Sequence, residues 1–198
     1  VCYQSTEKTK VNLNKKKNII TFVGKLNSAK GYDIFGQTII KILDKYQDWK
    51  SVVVGDEPRE KHIFKHKNLK ILSFKDNKFV LNLLKTASIS VACSRWEEPF
   101  GRTSLEASSL GCATIITNRG GLLETTKHPI ILKTLTVKSL FNLIEKLILN
   151  KKLRIKIQKL NYNSFKFTHE YVSKIIDNQR SIILNKLVDK KISINKNS

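Results

Sequence analysis

Six short apolar runs recur along the chain, and stretches with helical periodicity lie between most of them. The runs have the length of strands and cover residues 19–23, 51–54, 69–73, 89–93, 113–117 and 130–132. Their apolar residues are continuous and do not alternate with polar ones, which is typical of strands buried on both faces. Strands of that kind form parallel sheets with helices packed on each side. We therefore predict an α/β fold, a doubly wound parallel sheet of about six strands with helices on both faces.

The predicted helices show apolar stripes that repeat every three or four residues. Three stripes lie between the strands, at residues 35–46, 79–84 and 105–110. After residue 132 the pattern becomes all-helical, with apolar faces at residues 140–148 and 172–183. Thr168 is the predicted N-cap of the last helix.

A length of 198 residues suits one well-packed domain, which we expect over residues 18–188 with a helical C-terminal extension. Residues 1–17 are polar and are assigned to a linker or the tail of a missing N-terminal domain. Residues 189–198 are assigned to a frayed basic tail. Because the chain contains no Met, even at its first position, we expect it to be part of a longer protein.

The sequence shows no apolar run near the roughly 20 residues of a membrane span and no signal peptide. Its three cysteines, Cys2, Cys93 and Cys112, form no C-x-x-C pair, and an odd number is a poor disulfide framework. We therefore predict a cytoplasmic location, with the inner face of the membrane as an alternative.

The formal net charge of +21 raises the question of nucleic acid as a partner. The lysines are scattered along every segment, however, and no cluster of arginines with aromatic residues is present. We expect no specific nucleic-acid partner, although weak peripheral membrane association fits such a charge. A basic nucleic-acid-binding protein remains a competing hypothesis, which predicts affinity for DNA or RNA that falls steeply with salt.

Glu98 and Glu106 are two carboxylates with seven residues between them, which include a Pro-Phe-Gly break. This spacing puts Glu98 on a loop and Glu106 in the first turns of a helix. The backbone amides of residues 100–104 then lie at the helix start, where an anion can bind. Carboxylates next to an anion site suit a ligand with both hydroxyl and phosphate groups, such as a nucleotide sugar.

The loop after the first strand carries Gly24, Lys25 and Lys30. Ligands of doubly wound sheets bind at the carboxyl ends of the strands, and the Glu98 segment opens onto the same edge. Two lysines there could hold a diphosphate. By itself this loop is a weak signal, because lysines on a loop of such a lysine-rich chain are more often simply solvated. It has neither P-loop spacing nor a G-x-G-x-x-G motif.

Taken together, these segments and the run Gly-Gly-Leu-Leu-Glu at residues 120–124 resemble the C-terminal domain of the retaining GT-B glycosyltransferases of family 4. The resemblance covers about residues 18–188 and implies a Rossmann-like lobe, one half of a GT-B fold, that binds a nucleoside-diphosphate sugar. It implies that the nucleotide sugar is a substrate and that neither a cofactor nor a metal is required. The acceptor, a glycan, lipid or other hydroxyl compound, would bind the missing N-terminal domain, so this chain alone is expected to bind donor weakly and to transfer little.

The resemblance also implies roles for single residues. Lys25 and Lys30 match a basic pair on the diphosphate, and Glu98 matches the residue that binds the hydroxyls of the donor sugar. Glu106 matches the acid on the ribose hydroxyls. The remaining residues expected to bind substrate are Gly24, Ser73, Phe74, Phe100, Gly101 and Thr103. The reaction implied is sugar transfer with retention, by front-face displacement; the alternative is a noncatalytic nucleotide or nucleotide-sugar binding module.

Other groups near these motifs are assigned structural roles. We interpret Glu97 as solvated and expect Arg95 and Trp96 to support the loop. His62 and His66 are four residues apart, a spacing that binds metal on a helix, but the segment lacks the intervening Glu of a zinc motif. Asp56-Glu57 follows the second strand and is interpreted as a turn. We expect Arg102 and Arg119 to add positive potential at the site.

Overall fold

Six parallel strands form one sheet with the order β3-β2-β1-β4-β5-β6. The structure, a computed structural model, describes residues 3–195, and side chains as far as residue 187. The strands are β1 (Lys17–Val23), β2 (Lys50–Val54), β3 (Leu69–Leu72), β4 (Ala87–Ala92), β5 (Ala113–Thr117) and β6 (Ile130–Leu132). The predicted doubly wound parallel sheet is confirmed.

Helices cover both faces of the sheet. They are α1 (Tyr32–Lys45), α2 (Asn77–Thr86), α3 (Arg102–Ser109), α4 (Val137–Leu149) and α5 (Lys151–Ser164), followed by α6 (His169–Asn195). On one face, buried residues of α1 and α4 such as Phe35 and Ile144 pack with Ile20 of β1. On the other face, residues of α2 and α3 such as Leu84 and Ala107 form a second apolar cluster. Burial on both sides explains why the strands are continuously apolar.

Residues 8–165 form one compact unit that contains the sheet and helices α1 to α5. The boundary differs from the sequence prediction, because residues 8–17 belong to this unit and include a 3₁₀ turn at Leu13–Lys15. Helix α5 lies within the stretch predicted to be all-helical, but no apolar face was predicted for it. Asn150 caps it by accepting a hydrogen bond from the backbone amide of Leu153 at 2.8 Å.

A second unit joins the chain up to Glu7 to the chain from Lys166 onwards. Within it, the amide of Thr6 donates to the carbonyl of Phe167 at 3.1 Å. The predicted cap of α6 is confirmed, because Oγ1 of Thr168 accepts a hydrogen bond from the amide of Tyr171. Helix α6 continues to Asn195 and therefore includes residues 189–195, which the sequence assigns to a basic tail. Among the described helices, none is both long enough and apolar enough to cross a membrane.

Candidate functional site

The loops that follow β1 and β4 meet at the carboxyl edge of the sheet, because these two strands are neighbours. The amides of Arg95 and Trp96 both donate to the carbonyl of Ala29, at 2.8 and 3.1 Å. The guanidinium of Arg95 also donates to the Ser28 carbonyl and makes two hydrogen bonds to Asp33, at 2.6 and 2.8 Å. Arg95 therefore holds the two loops together, as predicted, and the side chain of Trp96 is exposed.

A cleft of about 450 Å³ opens at this edge. It is lined by the ends of β1 and β2, the segment before α2, and the first turns of α2 and α3. Five predicted site residues line it, and they are Gly24, Lys25, Phe74, Thr103 and Glu106. The cleft thus combines three cationic side chains, two carboxylates, an exposed aromatic ring and a helix start. Such a set of groups can bind a phosphorylated, hydroxyl-bearing ligand.

Glu106 is the buried acid of the cleft, with only 3% of its surface exposed. Its position in α3 fixes the backbone, and two donors fix the carboxylate. Nδ2 of Asn77 donates to Oε1 at 2.8 Å, and Nε of Arg102 donates to the same oxygen at 3.0 Å. The ion pair with Arg102 offsets the cost of burying the charge.

Lys30 and Glu98 form an ion pair with Nζ 2.5 Å from Oε1. Lys30 ends a 3₁₀ turn after β1, and Asn27 caps this turn by accepting a hydrogen bond from the Lys30 amide. Neither Lys30 nor Glu98 lines the cleft, although both lie at the same edge of the sheet. The structure therefore brings Lys25 and Glu106 together in the cleft and pairs Lys30 with Glu98 outside it.

The glycine pair Gly120-Gly121 packs directly against the loop that carries Glu98. The amide of Gly121 donates to the carbonyl of Glu98 at 2.7 Å. A Cβ atom on Gly121 would lie 2.6 Å from the carbonyl oxygen of Pro99, and one on Gly120 would lie 2.2 Å from that of Glu98. Only glycines permit such a close approach, so the pair fixes the path of the acidic loop.

These motifs agree with the comparison with known families. The family model of glycosyl transferases group 1 matches residues 4–164, most of the chain. The chain belongs to the group 1 glycosyl transferases.

Curated relatives share part of their sequence with the chain. The 2-deoxystreptamine N-acetyl-D-glucosaminyltransferase of Niallia circulans is 31% identical over 119 residues, which are 57% of this chain and 30% of that protein. The chain spans about a third of the length of the curated relatives it matches.

Two solved structures show the same fold. The C-terminal domain of the group 1 glycosyl transferase LpcC from Francisella tularensis is 23% identical, with a TM-score of 0.69 over 85% of this chain and 97% of that one. Anabaena Alr3699/HepE, solved in complex with UDP-glucose, is 18% identical, with a TM-score of 0.69 over 83% of this chain and 49% of that one.

Besides Lys30 and Glu98, three residues that the sequence predicts to bind substrate do not line the cleft of this group 1 glycosyl transferase chain. Ser73 is exposed at the end of β3, Phe100 is buried, and Gly101 precedes α3 with a positive φ of 96°. Glu97 is exposed, as predicted, but it is not free. It forms an ion pair with Arg119 at 3.0 Å and accepts a hydrogen bond from the amide of Gly120.

Two interpretations of acidic and histidine residues need correction. The segment with His62 and His66 is not helical, so their spacing does not place them on one helix face. His62 contacts Glu60 and His66 contacts Asp44. Asp56, interpreted as part of a turn, lines the cleft.

Glu57, next to Asp56, serves a different purpose. Its hydrogen bonds with Arg59 lower its pKa to about 2, and its carboxylate also accepts a hydrogen bond from Nδ2 of Asn27 at 3.1 Å. Among the polar residues that line the cleft, Asp56, Lys75 and Asn77 are outside the set predicted from the sequence. For Asp56 a signal exists, because it follows a strand that ends at the ligand-binding edge.

Proposed function

We propose that this chain is the donor-binding half of a retaining, family 4 glycosyltransferase that uses a nucleoside-diphosphate sugar. The observation that carries the proposal is the cleft that joins Lys25, Thr103 and Glu106 at the carboxyl edge of the sheet. Doubly wound folds bind nucleotides at this edge. Family membership and the UDP-glucose complex of the structurally similar Alr3699/HepE support the same substrate class.

The nucleotide is proposed to lie in the cleft with each part against a matching group. Glu106 accepts hydrogen bonds from the ribose hydroxyls, because a carboxylate can accept two charge-assisted O–H bonds. The diphosphate lies by Lys25, Thr103 and the start of α3, whose N-cap Gly101 makes no side-chain cap hydrogen bond. Phe74, with 75% of its surface exposed, offers its ring to the base.

Lys30 and Glu98 are proposed to act on the sugar end of the donor. Glu98 orients the sugar through its hydroxyls, and Lys30 faces the diphosphate. When the bond between the anomeric carbon and the phosphate oxygen breaks, Lys25 and Lys30 stabilise the negative charge that develops on the leaving diphosphate. Because ammonium groups supply this charge, the proposal requires no metal. The acceptor hydroxyl attacks from the same face that the diphosphate leaves, which retains the configuration.

The acceptor is proposed to be a glycan, a lipid or another hydroxyl compound that binds a second domain. This follows from the short span of the chain relative to its relatives. The chain by itself should therefore bind the donor weakly and transfer little sugar. We propose that the whole protein works in the cytoplasm, with weak attachment to the inner face of the membrane through its lysines.

Calorimetric titration of the chain with UDP, GDP and ADP tests the proposal. At least one nucleotide should bind, and Glu106→Ala should weaken its binding by about tenfold or more, because a hydrogen bond to a charged group contributes about 1.5–3 kcal/mol. Glu170→Ala is the control, since Glu170 is exposed on α6 and pairs only with Lys174 among the described side chains. Absence of binding to all three nucleotides, or equal binding by Glu106→Ala, would overturn the proposal.

A further inference from the structure

The hydrogen bonds at the Glu106 carboxylate are unequally divided between its two oxygens. Oε1 accepts one bond from Asn77 and one from Arg102, at 2.8 and 3.0 Å. A carboxylate oxygen has two lone pairs, so these donors saturate Oε1. Among the described side chains, none donates to Oε2. The buried acid therefore has one occupied oxygen and one oxygen with full capacity to accept hydrogen bonds.

The two donors come from different elements and approach the carboxylate independently. Asn77 is the first residue of α2, whose N-cap Asp76 accepts a hydrogen bond from the amide of Phe79 at 2.7 Å. Arg102 is the first residue of α3, one helical turn before Glu106. Both side chains also line the cleft. Glu106 is thus held between two helix starts and cannot rotate without breaking a bond on one side.

We propose that Asn77 and Arg102 are positioning residues that make the site specific for ribose over 2-deoxyribose. This inference depends on the proposed nucleotide function of the cleft. By occupying Oε1, the two side chains leave Oε2 as the acceptor for the ligand. The two lone pairs of Oε2 match the two hydroxyls of a ribose diol.

The proposal has a consequence for discrimination between sugars. A site whose buried acceptor is fixed in place penalises a ligand that lacks the matching hydroxyl, because the acceptor then stays desolvated and unpaired. If Asn77 or Arg102 is removed, the carboxylate can turn and offer Oε1 instead, or take a water molecule. The ribose nucleotide then loses some affinity, and the 2′-deoxy nucleotide loses less.

The test measures the dissociation constants of UDP, GDP and ADP and of their 2′-deoxy counterparts by calorimetry. The quantity compared is the ratio of the deoxy to the ribose constant for the nucleotide that binds. For the wild-type chain we expect a ratio of about ten or more, as for a lost hydrogen bond to a charged group. For Asn77→Ala the ratio should fall to about three or less, whereas Asn82→Ala, an exposed asparagine on the same helix, should keep the wild-type ratio.

Arg102→Met removes the donor on α3 and should lower the same ratio. It can therefore refute the inference even if Asn77→Ala does not fold. In a Glu106→Gln background, Asn77→Ala should cause no further change in the ratio, because the residue acts through the carboxylate. If wild type discriminates and the Asn77 and Arg102 variants discriminate equally well, the positioning role is refuted and the nucleotide function stands. If wild type binds none of the nucleotides, the proposed function itself fails and this inference fails with it.

Discussion

The ammonium group of Lys30 lies 2.5 Å from Oε1 of Glu98, and this ion pair joins the loops that follow β1 and β4. The Lys30 side chain is 31% exposed and that of Glu98 is 11% exposed, so the pair is partly shielded from solvent. Each residue is proposed to contact a different part of the donor. Because an ammonium group has three donors and a carboxylate has two oxygens, both can bind a ligand without separating.

Opposite charges at this pair predict opposite effects on nucleotide binding. Lys30→Met should weaken binding of a nucleoside diphosphate by about tenfold, since it removes a charged donor to phosphate. Glu98→Gln should strengthen nucleotide binding by up to roughly fivefold, because a neutral amide does not offset the positive charge of Lys30 as the carboxylate does. Calorimetry at constant ionic strength measures both.

Lys41→Met serves as the control for this pair, since Lys41 is exposed on α1 and lies outside the cleft. It should leave the affinity unchanged. Weaker binding by Glu98→Gln of a nucleotide without a sugar would contradict the proposed division of labour.

The sheet was predictable from the sequence because its apolar runs are short and sharply bounded. Strands β5 and β6 have the predicted ends. The other four strands differ from the prediction by one or two residues at one end or, for β4, at both ends. Helix α5 could not be predicted in this way, because its buried residues are polar. Arg154, Gln158 and Asn161 donate hydrogen bonds to backbone carbonyls, so the most buried face of the helix is polar.

The site was predictable only in part, because the sequence shows the spacing of residues along the chain but not the contacts between distant segments. Spacing along the chain indicates that Glu98 lies on a loop and Glu106 on a helix, and both are found there. Contacts between distant segments leave no such pattern. Asn77 is 29 residues from Glu106, and Lys30 is 68 residues from Glu98. Their pairing depends on loop conformations that a single sequence does not specify.

A methyl group added at Gly121 should displace the loop that carries Glu98. The new Cβ would lie 2.6 Å from the carbonyl oxygen of Pro99 and 2.8 Å from Cα of Phe100, which is backbone that must move. We expect Gly121→Ala to lower the free energy of unfolding by about 1–3 kcal/mol, a usual cost of overpacking. Urea denaturation measures the loss. Leu123→Ala, two residues further on and exposed, should cost much less, and equal losses would speak against the steric explanation.

Burial of Cys93 predicts a pH dependence of stability in the alkaline range. Burial raises the pKa of its thiol from the ordinary 9.0 to about 12. In the unfolded chain the thiol ionises at its ordinary pKa, whereas in the folded chain it stays protonated. Its contribution to stability is therefore present below pH 9 and lost as the pH rises towards 12.

Replacing Cys93 should remove this pH dependence. The free energy of unfolding of wild type, minus that of Cys93→Ala, should be largest near neutral pH. This difference should decrease between about pH 8 and about pH 10.5. Urea titrations followed by the fluorescence of Trp49, which is buried, provide the free energies. Ser73→Ala changes no ionising group and should show a constant difference. A constant difference for Cys93→Ala as well would contradict the shifted pKa.

Lys16 predicts a pH dependence of the opposite sign. Its Nζ donates to the carbonyl of Leu84 at 2.7 Å and lies 3.6 Å from Sγ of Cys112. Burial lowers the pKa of Lys16 below its ordinary 10.5, although the nearby Cys112 sulfur opposes the shift. The folded chain therefore releases this proton before the unfolded chain does, so stability should rise with pH between the lowered pKa and 10.5.

Lys16→Met isolates this effect, since methionine keeps much of the apolar stem without an ionising group. The free energy of unfolding of wild type, minus that of Lys16→Met, should increase as the pH rises towards the ordinary lysine pKa of 10.5. Lys15→Met is the matched control, because Lys15 is exposed in the same 3₁₀ turn. The corresponding difference for Lys15→Met should not change with pH. If both differences changed with pH in the same way, burial of the Lys16 ammonium group would be refuted.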